Sequence, residues 1–316
     1  MTLQRRQVLQ LALAIPGVAS PRRTLRGIFP IMQTPFTADD RVDFPVLAKQ
    51  AVFLDRTGAH GMVWPQLASE YAALSADERM TGMETLAKAA KGGRPALVLG
   101  VQADQPSQAV EYARHATRLG ADAIIAIPPK AGKAGEQETI DYYRTIGEAS
   151  GLPMFIQALG DISVDLIIKL SRAVPTLRYI KDESGPVLQR VSQFRERAPE
   201  LGDFTGSHGR VLFEEMIRGS AGNMPAAAWV DLYNQAWDFF HRGRRKDAAA
   251  MCARSLLFVM MAENYGLESI KYVLHLRGVF PNWKVRSKGK AGVAFDEPAM
   301  QTARDLVDAM RPYFKT

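Results

Sequence analysis

The chain has a single cysteine, Cys252, among its 316 residues. One cysteine excludes an internal disulfide and any metal cage built from thiolates. The histidines are equally scattered, at His60, His115, His208, His241 and His275. No pair of them has the spacing of metal ligands on one element. A metal-dependent lyase is therefore the weakest functional alternative, and the sequence predicts neither a metal nor another cofactor.

Long apolar runs and acidic charge at the N-terminus are also missing. No segment after the leader reaches the ~18 uninterrupted apolar residues of a membrane-spanning helix. The first 26 residues contain five arginines and no acidic residue. The chain carries +7, and removal of these five arginines leaves +2 for the rest. A basic groove for nucleic acid has little support, so we expect the mature protein to bind neither nucleic acid nor a membrane.

The first 24 residues are arranged like an export signal. Arg5 and Arg6 precede an apolar run over 8–19, and small residues follow it. The run is too short to span a bilayer, and a cleavage region near 18–20 fits the pattern. The arginine pair resembles a twin-arginine signal. We predict an export signal at 1–24 and a periplasmic or secreted protein, with a disordered basic tail as the alternative.

Beyond the leader, eight short apolar runs alternate with segments of helical periodicity. The predicted strands are 27–34, 61–65, 96–101, 123–127, 154–158, 177–183, 203–207 and 219–225. The helices recognised between them are 46–57, 76–90, 107–119, 138–149, 164–173 and 187–197. This alternation is typical of an α/β protein whose parallel sheet closes as a (β/α)8 TIM barrel. We place the barrel at 25–226 and, at 227–316, C-terminal helices packed on it.

A TIM barrel has its active site at the carboxyl ends of its strands. Lys181 lies at the end of the sixth strand. A lysine in a dry pocket there is disfavoured as the ammonium, and its free amine can attack a carbonyl carbon. Because side chains alternate along a strand, Glu183 points the same way as Lys181, whereas Asp182 points the other way. The simpler interpretation of Lys181 is a solvated lysine at a strand end.

The same rule selects candidate substrate ligands near the ends of other strands. They are Thr34, Gln66, Ser69, Gln157, His208 and Asn223. Their hydroxyl and amide groups are suited to orienting a small polar substrate. For His208 two interpretations stay open, an acid/base or a loop histidine with satisfied hydrogen bonds, and the second is the simpler.

Four segments carry a resemblance to a known family. Gly-Ile-Phe-Pro-Ile-Met-Gln-Thr-Pro-Phe opens the barrel at 27–36, and Glu-Tyr-Ala-Ala-Leu-Ser-Ala-Asp-Glu-Arg follows the second strand at 70–79. Tyr-Ile-Lys-Asp-Glu-Ser-Gly stands at 179–185 and Leu-Glu-Ser-Ile-Lys at 267–271. In this order and spacing the chain resembles the dihydrodipicolinate synthase and N-acetylneuraminate lyase family. The resemblance implies a TIM barrel, an imine-forming Lys181 and a homotetramer.

Several positions depart from that family's pattern. The family usually has Gly-Thr-Thr-Gly-Glu after the second strand, where hydroxyls bind a substrate carboxylate and relay protons, but this chain has Gln-Leu-Ala-Ser-Glu at 66–70. The family's relay tyrosine corresponds to Gln157, and Glu183 stands where the family has a small residue. The loop after the fifth strand, which carries an arginine in the synthases, is shortened. Dihydrodipicolinate synthesis itself is disfavoured, because loss of a proton relay costs ~10²–10⁴ in rate.

The sequence thus predicts a class I (Schiff-base) aldolase, lyase or dehydratase that acts on a 2-oxo acid or a related carbonyl compound. Lys181 forms the imine. Glu183 either replaces the missing acid/base or only anchors Lys181 by a salt bridge, and the sequence does not decide between these roles. The alternative is a periplasmic binding or sensor protein on a catalytically altered barrel, which explains the missing relay but not the retained lysine.

Overall fold

The strands of the barrel are short and buried. A computed structural model describes residues 24–287 and 293–315. Its strands are β1 (Gly27–Ile28), β2 (Gly61–Trp64), β3 (Ala96–Gly100), β4 (Ala123–Ala126), β5 (Met154–Ala158), β6 (Leu177–Asp182), β7 (Gly202–Thr205) and β8 (Gly222–Asn223). They read as nearly continuous apolar runs because helices cover one face of the sheet and the barrel interior the other.

All strand pairs are parallel, in the order β1-β8-β7-β6-β5-β4-β3-β2. Ile31 forms bridges to both Val63 and Ala226, which closes the sheet between its first and second strands. The predicted (β/α)8 TIM barrel is therefore confirmed. The first and last strands are shorter than predicted, because Pro30 and Pro225 lack the amide donor that would continue the ladder.

Helices follow the strands around the outside of the barrel. They are α1 (Phe44–Thr57), α2 (Ala76–Ala90), α3 (Pro106–Arg118), α4 (Glu136–Ser150), α5 (Val164–Ala173), α6 (Val187–Arg197), α7 (Leu212–Arg218), α8 (Val230–His241), α9 (Arg245–Tyr265), α10 (Leu267–Leu276) and α11 (Glu297–Met310). Helix α7 is not among the helices predicted from the sequence, because seven residues are too few for a helical period to stand out.

The helices after β8 are attached to the barrel by buried ion pairs. Helix α8 packs against α1 and β1, the position of the barrel's eighth helix. Its Asp231 accepts a hydrogen bond of 2.7 Å from Arg277. On α10, Lys271 donates a hydrogen bond of 2.5 Å to Glu70, which lies in the loop after β2. The contact of Lys271 with Glu70 holds the loop at the carboxyl end of β2. The division at 226 stays a prediction.

The sequence predicts an export signal at the N-terminus and no membrane-spanning helix after it. The export signal at 1–24 lies outside the described residues except for Thr24, and it stays a prediction. Over 24–287 and 293–315, the structure has no helix with the length and apolar character to cross a bilayer.

Aromatic rings fill the lower part of the barrel interior. Phe155 stacks on Tyr179 at 4.6 Å between ring centroids, and Phe204 meets Phe155 edge-on at 5.2 Å. Phe29 meets Phe204 at 5.1 Å, so the cluster crosses from β7 to the first strand. The barrel is therefore a packed core below its carboxyl end and not a pore.

We expect Phe204→Ala to reveal this packing. Phe204 is fully buried, so its truncation leaves a cavity and lowers the free energy of unfolding by about 3–5 kcal/mol. Leu257→Ala is the control, because Leu257 is 62% exposed and its loss costs within about 0.5 kcal/mol. Urea unfolding of both variants measures the difference. Equal stabilities would contradict the packed interior.

Candidate functional site

Lys181 lies on the interior face of β6, one layer above the aromatic cluster. Its strand neighbours in register are Gln157 on β5 and Phe204 on β7. Tyr179, two residues earlier, belongs to the cluster, so the alternation of side chains directs Lys181 into the barrel as well. The residue is 4% exposed. The lysine therefore lies in a largely dry interior at the carboxyl end of the sheet.

Glu183 makes the principal contact of Lys181. Its Oε2 accepts hydrogen bonds of 2.7 Å from Lys181 Nζ and 2.6 Å from Gln157 Nε2. Its Oε1 accepts the backbone N–H of Ser207 over 3.1 Å. Gly206 makes room for this carboxylate, because a Cβ there would stand 2.1 Å from Oε1. The loop after β7 therefore forms part of the site through its backbone.

The charge of Glu183 follows from these contacts. Burial alone would raise the pKa of its carboxyl, but the positive charge of Lys181 and the hydrogen bonds from Lys181, Ser207 and Gln157 lower the pKa below its ordinary value. Glu183 is therefore a carboxylate at neutral pH. It is positioned to accept a proton from the Lys181 ammonium over 2.7 Å.

Two further glutamines line the interior near β2 and β3. Gln66 Nε2 donates to Gln102 Oε1 over 2.8 Å, and Gln102 Nε2 donates to the Pro65 carbonyl over 3.0 Å. A Cβ on Gly100 would lie 2.9 Å from Gln66 Nε2, so the Gln66 amide extends over this glycine at the carboxyl end of β3. Gln66 thus contributes to the interior surface above the barrel core.

The predicted hydroxyl ligands are engaged within the protein. Thr34 Oγ1 donates to the Ser69 carbonyl over 2.5 Å and accepts the Trp64 indole N–H over 3.0 Å. Ser69 Oγ donates to the Met32 carbonyl over 2.5 Å and accepts the Gln66 backbone N–H over 3.0 Å. Both hydroxyls therefore hold the loop after β2 in place, and their role as ligands stays a prediction.

The structure places Asn223 away from Lys181. Asn223 is paired with Thr205 across β7 and β8, and its Nδ2 donates to Thr205 Oγ1 over 2.7 Å and to Glu215 Oε2 over 3.1 Å. Phe204, the neighbour of Thr205, faces the interior, so Thr205 and Asn223 face the helices outside. The role of Asn223 as a substrate ligand stays a prediction, although its amide faces away from Lys181. The strand-end rule selects a position along the strand but not a face.

His208 lies in the loop after β7 with a left-handed backbone, at φ 53°. Burial lowers the pKa of its imidazole, although the nearby Glu183 carboxylate acts in the opposite direction. The ring is therefore neutral at neutral pH. The structure brings Lys181, Glu183 and Gln157 into direct contact and His208 near them.

Two residues of this region, Gln33 and Gln102, are not among the candidates predicted from the sequence. Gln33 continues the interior alternation of Phe29 and Ile31, and Gln102 follows the carboxyl end of β3. Both could have been predicted, Gln33 from the alternation of strand side chains and Gln102 from its position at a strand end. In the part of the chain that the structure describes, no group of three or more His, Cys, Asp or Glu side chains is arranged to hold a metal ion.

The ionised state of Glu183 makes stability depend on pH. Because its pKa is lowered in the folded protein, the carboxylate stabilises the fold above pH 4.5 and loses that contribution as the pH falls through the folded-state pKa. We expect Glu183→Gln to lower the free energy of unfolding by about 1–3 kcal/mol at neutral pH. The difference from wild type should shrink below pH 4.5, as urea unfolding measures. A difference that is constant with pH would contradict the ionised pair.

Known proteins share this architecture. The model of the dihydrodipicolinate synthetase family matches residues 24–288. An uncharacterized DapA-like lyase of Pyrococcus abyssi is 25% identical over 71% of this chain and 78% of its own length. A 4-hydroxy-tetrahydrodipicolinate synthase of Rhizobium meliloti is 31% identical, but the match covers only 54% of this chain and 59% of that synthase.

The fold comparison agrees with the sequence comparison. The crystal structure of an E. coli K12 prophage protein, which belongs to the dihydrodipicolinic acid synthase family and is in complex with pyruvate, superposes with a TM-score of 0.83. It is 20% identical, and the match covers 92% of this chain and 99% of that chain. The chain belongs to the dihydrodipicolinate synthetase family, which at the family level is one of class I lyases acting on 2-oxo acids.

Proposed function

We propose that this protein is a Schiff-base lyase for a 2-oxo acid or a related carbonyl compound, in which Lys181 attacks the carbonyl carbon. The observation that carries the proposal is the pair of Lys181 Nζ and Glu183 Oε2, 2.7 Å apart at the carboxyl end of the barrel interior. Family membership supports the reaction class. Neither the described residues nor the relatives favour the binding-protein alternative.

Lys181 has one useful comparison within the chain. Lys271 is also buried, but its ammonium is held by Glu70 and by the Lys284 carbonyl in the contact of α10 with the loop after β2. Burial lowers the pKa of Lys271 to about 8 despite Glu70. Lys271 is therefore a structural ion-pair partner outside the barrel interior, whereas Lys181 lies where a barrel binds its substrate.

The pair can carry out the first step without another group. The Lys181 ammonium transfers a proton to the Glu183 carboxylate, and the free amine adds to the substrate carbonyl carbon. The carbonyl oxygen leaves as water after it takes up protons, and the protonated imine remains on Lys181. This cation accepts the electron pair of a neighbouring bond as that bond breaks. Glu183 then serves as the proton carrier for the resulting enamine.

We also propose that the protein is exported and that it assembles as a homotetramer. The arginine-rich leader supports a periplasmic or secreted location. The family resemblance supports a homotetramer.

We expect a cognate carbonyl substrate and borohydride to add a stable mass to Lys181. Lys181→Met should abolish the adduct because it removes the attacking amine. Lys130→Met is the matched control, since Lys130 lies in the turn after β4 and is exposed in a pair with Glu138. Peptide mass spectrometry locates the adduct. An adduct on Lys130 or Lys133 would refute the assignment.

Glu183→Gln separates the acid/base role from anchoring. If Glu183 carries protons, turnover should fall by ~10² or more, while imine trapping should stay largely intact over a long incubation, in which water can take the Lys181 proton in place of Glu183. Glu138→Gln is the control, because it removes an exposed carboxylate that also pairs with a lysine. If Glu183 only anchors Lys181, trapping should fall first. Turnover equal to that of wild type would end the acid/base assignment.

We expect condensation of pyruvate with aspartate semialdehyde to be very slow or absent. Leu67 and Ala68 carry no hydroxyl, Gln157 replaces the family's relay tyrosine, and the Ser69 hydroxyl is engaged by the Met32 carbonyl. A coupled assay measures the reaction. Specificity of ~10⁴ M⁻¹s⁻¹ or more, the ordinary range of enzymes, would overturn this expectation.

A further inference from the structure

Three buried glutamines have side-chain carbonyl oxygens without a hydrogen-bond partner among the described residues. These oxygens are Gln33 Oε1, Gln66 Oε1 and Gln157 Oε1. All three residues have no exposed surface. A buried acceptor without a donor costs free energy, so a ligand that donates to these oxygens is favoured.

The orientation of each amide is fixed by its nitrogen. Gln33 Nε2 donates to the Ile31 carbonyl over 2.9 Å, and Gln157 Nε2 donates to the Glu183 carboxylate over 2.6 Å. Gln66 Nε2 donates to Gln102 Oε1, which is itself oriented because Gln102 Nε2 donates to the Pro65 carbonyl. Exchange of oxygen and nitrogen would place two acceptors against each other in every case. The three free oxygens therefore follow from the network.

The three amides belong to the same end of the barrel as Lys181. Gln157 is the register neighbour of Lys181 on β5. Gln66 extends over Gly100 at the end of β3. Gln33 follows Phe29 and Ile31 on the interior side of the extended segment after β1.

Each of the three amides can still accept one hydrogen bond and donate another. The carbonyl oxygen is free, and the nitrogen has a second N–H beyond the one bond described. A hydroxyl group can donate to the oxygen and accept from the nitrogen, whereas a carboxylate can only accept and is repelled by the oxygen. An ammonium can only donate. The three amides at the carboxyl end of the barrel interior therefore complement hydroxyl groups best.

We infer that the substrate is a hydroxylated carbonyl compound, with hydroxyl groups next to the carbon that Lys181 attacks, and that carbonyl compounds without such hydroxyl groups are poorer ligands than their hydroxylated analogues. This inference rests on the proposed imine chemistry. It assigns Gln33, Gln66 and Gln157 to the selection of hydroxyl groups, with Lys181 as the nucleophile.

The test is borohydride trapping with four three-carbon probes that vary the hydroxyl and the carboxylate separately. Acetone and dihydroxyacetone lack the carboxylate, and pyruvate and hydroxypyruvate carry it. We expect the hydroxylated member of each pair to label Lys181 at least ~10-fold faster than its partner, because a site that hydrogen-bonds a hydroxyl rejects the analogue without it.

The intrinsic reactivities of the probes differ, but they are the same for every variant. Comparison of the labelling ratio of each glutamine variant with that of wild type therefore cancels them. Gln66→Met and Gln157→Met should each reduce the hydroxyl preference at least ~3-fold relative to wild type. Gln50→Met is the matched control, because Gln50 on α1 is equally buried and its amide also lacks described partners, but it lies outside the barrel interior. It should leave the preference unchanged.

The outcomes separate the two claims. Labelling of Lys181 without a hydroxyl preference overturns the inference and leaves the proposed function intact. An unchanged preference in both glutamine variants overturns it as well. Absence of labelling at Lys181 with all probes refutes the proposed function and the inference with it. If one variant fails to fold by circular dichroism, the other variant and the wild-type ratio still decide.

Discussion

The buried ion pair of Lys181 and Glu183 is the interaction on which this site depends. Two charges leave water when such a pair is buried, and the loss of hydration is recovered only if the remaining hydrogen-bonding positions are filled. Gln157 and the Ser207 backbone N–H fill those of the carboxylate. Gly206 provides the space for it. Two strands, β5 and β6, and the loop after β7 therefore converge on a single carboxylate beside the lysine.

This arrangement gives a chemical reason for the departures from the family's pattern. Where the family relays protons through hydroxyl groups, this chain has a carboxylate in direct contact with the amine. A carboxylate whose pKa is lowered by its lysine neighbour becomes more basic whenever that neighbour is uncharged, as the free amine before the imine forms and as the enamine after it. The same group can then serve as proton acceptor and donor at successive steps, without a tyrosine.

Much of the fold and the centre of the site were predictable from sequence. Eight apolar runs separated by helices determine a closed parallel sheet, and alternation along β6 places Lys181 and Glu183 on one face. The face of Asn223 was not predictable, because β8 is only two residues long and its register depends on the pairing with β7. The amide orientations depend on contacts between distant segments, such as that of Gln66 with Gln102.

The crystal structure of the borohydride-reduced complex with a hydroxylated substrate tests the central claim most directly. We expect a covalent bond from Lys181 Nζ to the former carbonyl carbon, with a Glu183 oxygen within hydrogen-bonding distance of the new amine. The substrate hydroxyls should contact the side-chain amides of Gln66 and Gln157. A bond to another lysine, or a Glu183 carboxylate turned away from the amine, would refute the roles assigned to Lys181 and Glu183.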